Sequence, residues 1–140
     1  MTTASVTTDI DIGPFKIPSN AQNMIINFYA GRNSIPIEIV IPEPLLSNKL
    51  ATTIWLHKEF NFTKVLLSSV HQLPRAESDL TALVTAMSNV EFHFAIEGLK
   101  GSGKDFLNSV SQEVKIFNRC ELINANNFGW LELQKLNRSF

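Results

Sequence analysis

IDIGPFKIPSNAQNMIINFYAGRNSIPIEIVI, residues 10–41, sets the fold class. Ile10 and Ile12, then Phe15 and Ile17, flank a Gly13-Pro14 break. Met24 to Tyr29 is a compact apolar run, and Gly31-Arg32-Asn33 reads as a turn. Ile35, Ile37, Ile39 and Ile41 then alternate with Pro36, Glu38 and Val40, a period-2 pattern with one buried face. Pro36 lacks a backbone donor, so this strand should start there or lie on an edge, and Pro42-Glu43-Pro44 ends it. The whole stretch therefore reads as β.

Working outward, residues 1–8 are small and polar without periodicity and read as a flexible tail, leaving 9–140 as a single domain. Residues 51–57 and 62–70 read as a second pair of strands joined near Phe60-Asn61, with Leu73-Pro74-Arg75 closing the block. A helix is expected at about 79–88. Ser78 suits the N-cap, Asp79 suits the first turn, and Leu80, Leu83, Val84 and Met87 form one stripe. Val90 to Ile96 alternates again as a strand. Phe106, Leu107, Val110, Val114 and Phe117 fit a second amphipathic helix at about 104–117, and Cys120 to Leu136 reads as a final hairpin. Strands first and helices later imply an α+β fold, with a largely antiparallel β-sheet or sandwich and two amphipathic helices. Trp55, Trp130, Phe28, Phe60 and Phe62 read as core.

Composition narrows the function. The chain has 140 residues, 44% of them hydrophobic and 18% charged, with a net charge of −1. That excludes a disordered tail, a collagen and a disulfide scaffold, and it disfavours a globally basic nucleic-acid binder. The single cysteine, Cys120, cannot form an intrachain disulfide. The first residues carry neither the basic nor the apolar region of a signal peptide, and no apolar run reaches the length of a membrane span. Charge is uneven, however. Lys49, Lys58, Lys64 and Arg75 face only Glu59 within residues 48–75, a local basic island.

Gly98-Leu99-Lys100-Gly101-Ser102-Gly103-Lys104-Asp105 has the Gly-four-residues-Gly-Lys frame of a phosphate-binding loop. Such a loop wraps phosphate in backbone N–H groups and reaches it with the lysine. The next position should hold a hydroxyl for magnesium, and here it is Asp105, whose carboxylate repels phosphate. A glycine turn with solvent-facing lysines is the expected reading, and a nucleotide-binding enzyme using 98–105 is the alternative. His57, His71 and His93 have no ligand partner at metal spacing, so no catalytic residue, metal or cofactor is expected.

The segment order resembles the small matrix proteins of negative-strand RNA viruses, those of bornaviruses most closely. The resemblance rests on Lys16-Ile17-Pro18, the Met24–Tyr29 strand and glycine turn, Glu43-Pro44-Leu45, and Lys104, Leu107 and Asn108 continuing to Val114 and Phe117. A fainter likeness to rhabdovirus matrix proteins lies in Ser78-Asp79-Leu80 and the Gly98–Gly101 turn. It implies a non-enzymatic viral matrix protein of the host cytoplasm, inner membrane face and virion. Such a protein is a homo-oligomer that forms a layer under the envelope, meeting membrane lipid head groups and nucleocapsid or RNA, with no small-molecule substrate. Lys49, Lys58, Lys64, Arg75, Lys100 and Lys104 are then the expected membrane- and RNA-binding residues.

Overall fold

A computed structural model describes residues 2–8, 10–12, 15–44 and 48–126. A five-stranded sheet is built from β1 (Thr3–Thr7), β4 (Ile39–Pro42), β5 (Lys64–Leu67), β6 (Glu91–Phe94) and β7 (Leu99–Ser102), in the order β4-β1-β5-β6-β7. β1 pairs in parallel with both β4 and β5, and β5 in parallel with β6, while only β7 is antiparallel. β2 (Ile10–Ile12) and β3 (Phe15–Ile17) form a separate antiparallel hairpin. The expected α+β antiparallel sandwich is therefore corrected to an α/β fold. The expected flexible tail is corrected too, because residues Thr3–Thr7 form a sheet-interior strand buried at every position.

Parallel strands need long crossovers, and helices supply them. α1 (Ser19–Arg32) joins β1 and its hairpin to β4, α2 (Ala51–Phe60) joins β4 to β5, and α3 (Glu77–Ala86) joins β5 to β6. α4 (Lys104–Asn126) follows β7. Val6, Val65, Leu67, Phe92 and Phe94 point to one face of the sheet, where they meet Leu80, Leu83, Leu107 and Val110 of α3 and α4. Leu66 points to the other face and meets Ile26 and Ala30 of α1.

Two elements read as strand are helices. In α1 the buried residues are Gln22, Ile26 and Ala30, a four-residue spacing, while Met24 and Phe28 of the apolar run stay exposed. α2 starts on Thr52-Thr53-Ile54-Trp55, a sequence of β preference, because buried Glu43 caps it from a distance. Its carboxylate accepts from Thr53 N at 2.7 Å, Thr53 Oγ1 at 2.7 Å and Thr52 N at 3.4 Å. An anion at a helix N-terminus satisfies donors that the helix itself leaves unpaired. Of the aromatics read as core, Phe62 is buried, Trp55, Phe28 and Phe60 are exposed, and Trp130 lies outside the described residues. Residues 120–126, expected to open a hairpin, continue α4, and the remainder of that hairpin lies outside the described residues.

The segment with the phosphate-loop frame is not a loop. Leu99–Ser102 is strand β7, in register with β6 as Phe94↔Leu99, His93↔Lys100 and Phe92↔Gly101. Its backbone is extended and paired with β6 rather than wound around a phosphate, and this overturns the nucleotide-binding alternative. Gly101 is there for packing: a Cβ would stand 2.7 Å from Phe106 Cγ. Gly101→Ala should therefore destabilise the fold by about 1–3 kcal/mol, read as a lowered denaturant midpoint.

A polar chain ties α1 to the sheet at β6. Tyr29 Oη lies 2.7 Å from His93 Nδ1, and His93 Nε2 lies 2.5 Å from a Glu91 carboxylate oxygen. The carboxylate places the imidazole proton on Nε2, so Nδ1 accepts from the tyrosine hydroxyl. Burial holds the His93 pKa below the usual histidine range against the opposing pull of Glu91, and Lys64 and Lys100 push it further down. The His93–Glu91 contact is thus a hydrogen bond from neutral imidazole rather than a full ion pair. Burial, helped by the Glu91 charge, raises the Tyr29 hydroxyl above the usual phenol range.

A histidine with a depressed folded pKa binds its proton more readily unfolded. Stability from His93 is therefore complete above pH 6.5 and is lost as pH falls below it, at up to about 1.4 kcal/mol per pH unit. Thermal unfolding from pH 7.5 to 5 should show a falling midpoint, and His93→Gln should flatten that fall.

Candidate functional site

The strand order places a reversal at β1. Its crossover to β4 leads to one side, and the next crossover brings the chain back past β1 to β5. In open α/β sheets the crevice outside the carboxyl ends of the strands flanking such a reversal is the usual binding site. Here those ends are Thr7-Thr8 after β1 and Ser68-Ser69 after β5.

All four hydroxyl residues are buried, and two glutamines organise them. Gln22, at the start of α1, accepts from Thr8 N at 3.1 Å and donates to the Thr8 carbonyl at 2.5 Å and the Ile17 carbonyl at 2.8 Å. Gln72, in the 3-10 turn Val70–Gln72, accepts from Ser68 N at 2.7 Å, Ser68 Oγ at 2.6 Å and Ser69 N at 3.2 Å. Its amide donates to the Val6 carbonyl at 3.2 Å, binding the end of β5 to β1. Ser69 begins this turn because its side chain caps it, accepting from His71 N at 3.3 Å.

Two further features carry chemistry. Ser69 Oγ donates to one Glu97 carboxylate oxygen at 2.8 Å, while the other accepts from Val70 N at 3.0 Å. A hydroxyl thus lies against a proton acceptor. Thr8 Oγ1 is buried without a hydrogen-bond partner among the described residues, an unused polar group at the end of β1. Beside them His71 is half-buried, and Phe117 of α4 meets its ring edge-on at 4.8 Å. Burial lowers the His71 pKa, Glu97 partly opposes this, and Arg75 adds to the lowering. A neutral imidazole at pH 7 can accept a proton.

The expected basic residues do not form one face. Arg75 lies just beyond the 3-10 turn, and its backbone N donates to Asn48 Oδ1 at 2.6 Å, which brings Lys49 to the same end of the sheet. Lys58 lies in the last turn of α2 and Lys64 opens β5, both at the amino end of the strands. Lys100 is on edge strand β7 opposite His93, and Lys104 begins α4. The crevice residues Thr8, Gln22, Ser69, Gln72 and Glu97 were missed. Their one sequence signal is the run Ser68-Ser69-Val70-His71-Gln72 after an apolar strand, a polar burst where a β-strand should feed a helix. Among the described residues, no cluster of three or more His, Cys, Asp or Glu could hold a metal, and no helix is long and apolar enough to cross a membrane.

No protein-family model and no curated protein matches this chain. Solved structures do. The N-terminal catalytic domain of TP901-1 integrase superposes with a TM-score of 0.60 at 17% identity, over 86% of this chain and 99% of its own. A resolvase family site-specific recombinase from Streptococcus pneumoniae superposes with a TM-score of 0.55 at 16% identity, over 96% of this chain and 99% of its own. These likenesses overturn the viral matrix resemblance, and with it the non-enzymatic layer-forming role and the lipid and nucleocapsid or RNA partners. The segments behind that resemblance fall on other elements: the Met24–Tyr29 "strand" is helix α1, and the glycine turn before Lys104 is strand β7. The fold this chain shares is that of recombinase and integrase catalytic domains.

Proposed function

We propose that this chain is a DNA-processing catalytic domain that breaks and rejoins a phosphodiester at the carboxyl ends of β1 and β5. The observation that carries this reading is the fold shared with nearly all of an integrase N-terminal catalytic domain and nearly all of the solved chain of a resolvase family site-specific recombinase. The crevice adds a hydroxyl against a carboxylate where the topology puts a binding site.

The step balances with groups in the crevice. Ser69 Oγ attacks phosphorus and passes its proton to Glu97. The bond from phosphorus to the deoxyribose oxygen breaks, and that oxygen leaves with a proton returned by the carboxylic acid. The DNA end is held as a serine phosphodiester, and reversal by another strand's hydroxyl rejoins it. Keeping the phosphodiester energy in a covalent intermediate lets rejoining proceed without an external energy source. Thr8, whose hydroxyl is unused, is the second candidate nucleophile. Ser69 has no solvent exposure, so the residues that cover it must move before DNA reaches it.

The test is incubation of the full chain with a pooled random-sequence duplex library, followed by denaturation and recovery of DNA covalently attached to protein. An adduct is expected, with peptide mapping to Ser69. Ser69→Ala should abolish it, and Glu97→Gln should slow it by about 10²–10⁴-fold. An adduct mapping to Thr8 moves the nucleophile to β1. No DNA binding and no adduct overturns the reading.

A further inference from the structure

α4 carries a polar stripe that its core-packing role does not use. Lys104, Asn108, Ser111 and Lys115 recur at i, i+4, i+7 and i+11, which puts them within about 60° of one another around the helix. This stripe lies beside the buried face formed by Leu107, Val110 and Val114 and turns toward α3. The acids of the same segment, Asp105 and Glu113, fall about 100° and 180° away from Lys104.

Between α3 and α4 the stripe lines a cleft of about 280 Å³, bounded on the α3 side by Glu77 and Thr81. A second hollow of about 70 Å³ shares Ser111 and Lys115 with it and ends at Arg75. The two form one track along α4 that finishes at Leu73–Arg75, the segment following the 3-10 turn Val70–Gln72. Lys104, Lys115 and Arg75 line it against the single carboxylate of Glu77, and none of these cations forms an ion pair among the described residues.

We infer that this track between α3 and α4 binds the sugar-phosphate backbone of duplex DNA and leads it to the crevice. The inference rests on the proposed DNA-processing role and adds the surface and the polarity of approach. Lys104 and Lys115 are separated by about 16 Å along the helix axis, the rise of about five nucleotides of one strand. Asn108 between them supplies an uncharged donor to phosphate oxygens. Contacts of this kind position a duplex without reading its sequence.

Fluorescence anisotropy of a 20-base-pair duplex with the full chain, titrated across a salt series, tests this. Three phosphate contacts should give a slope of log affinity against log salt near −2.7. Lys104→Gln/Lys115→Gln should reduce the magnitude of that slope by about 2 and weaken low-salt binding at least 10-fold. Lys58→Gln/Lys64→Gln, neither of which lines the track, should leave both unchanged. Equal slopes for the wild type and the α4 variant, with covalent adduct formation intact, overturn the track and leave the catalytic reading standing. Tighter binding of duplex RNA than of duplex DNA overturns the assignment of the track to DNA. Absence of any DNA binding by the wild type overturns both.

Discussion

Strand β1 is paired in parallel along both edges, with β4 on one side and β5 on the other, and is buried from Thr3 to Thr7. The rest of the molecule follows from that constraint. A parallel neighbour can be reached only by a crossover, so α1 and α2 must pass over opposite faces of the sheet. With both faces covered, the strands on either side of β1 gain a hydrophobic core above and below. The chain reversal around β1 is also what brings the buried hydroxyls of Thr8 and Ser69 together at the carboxyl ends of β1 and β5. A single register choice therefore sets the helix–sheet–helix layering and the place of the site.

Burying strand ends is costly unless their backbone groups find partners. This chain meets the requirement with long polar side chains brought in from elsewhere in sequence. Gln22 closes the end of β1, Gln72 links β5 to β1, Glu43 takes the start of α2, and Glu97 holds the turn after β5. Each spans a gap that backbone pairing leaves open, and each fixes a loop at the same end of the sheet. The polar cluster is therefore structural and chemical at once. The arrangement that holds Ser69 in place is also the one that sets its hydroxyl against a carboxylate.

Electrostatics are distributed by the fold rather than by sequence segment. The basic island of residues 48–75 is split between the two ends of the sheet, because α2 carries the chain from one end to the other between Lys49 and Lys64. Lys104 and Lys115, far from that island in sequence, come into line with Arg75 because α4 runs back up the sheet from the amino end of β6. Charge density along a chain thus says little about charge density on a surface when each crossover reverses direction.

Several local features were legible in the residues themselves. The stripe Leu80, Leu83, Val84 and Met87 marks α3, Phe106 to Val114 marks the core-facing part of α4, and the alternation at Phe92 and Phe94 marks β6. Each is a strong period written into adjacent residues, so neighbours in sequence suffice to show it. Tertiary structure alone decided the rest. Met24 to Tyr29 is helical because Gln22, Ile26 and Ala30 find the sheet, although apolar Met24 and Phe28 stay exposed. Ala51 to Phe60 is helical because Glu43 reaches its first N–H groups against the β preference of its threonines. The first residues, without any periodicity, form the sheet's interior strand because both of its faces are covered, so burial leaves no alternation to read. Local sequence fixes what one element prefers, whereas the pairing partner of a parallel strand is many residues away and only packing selects it.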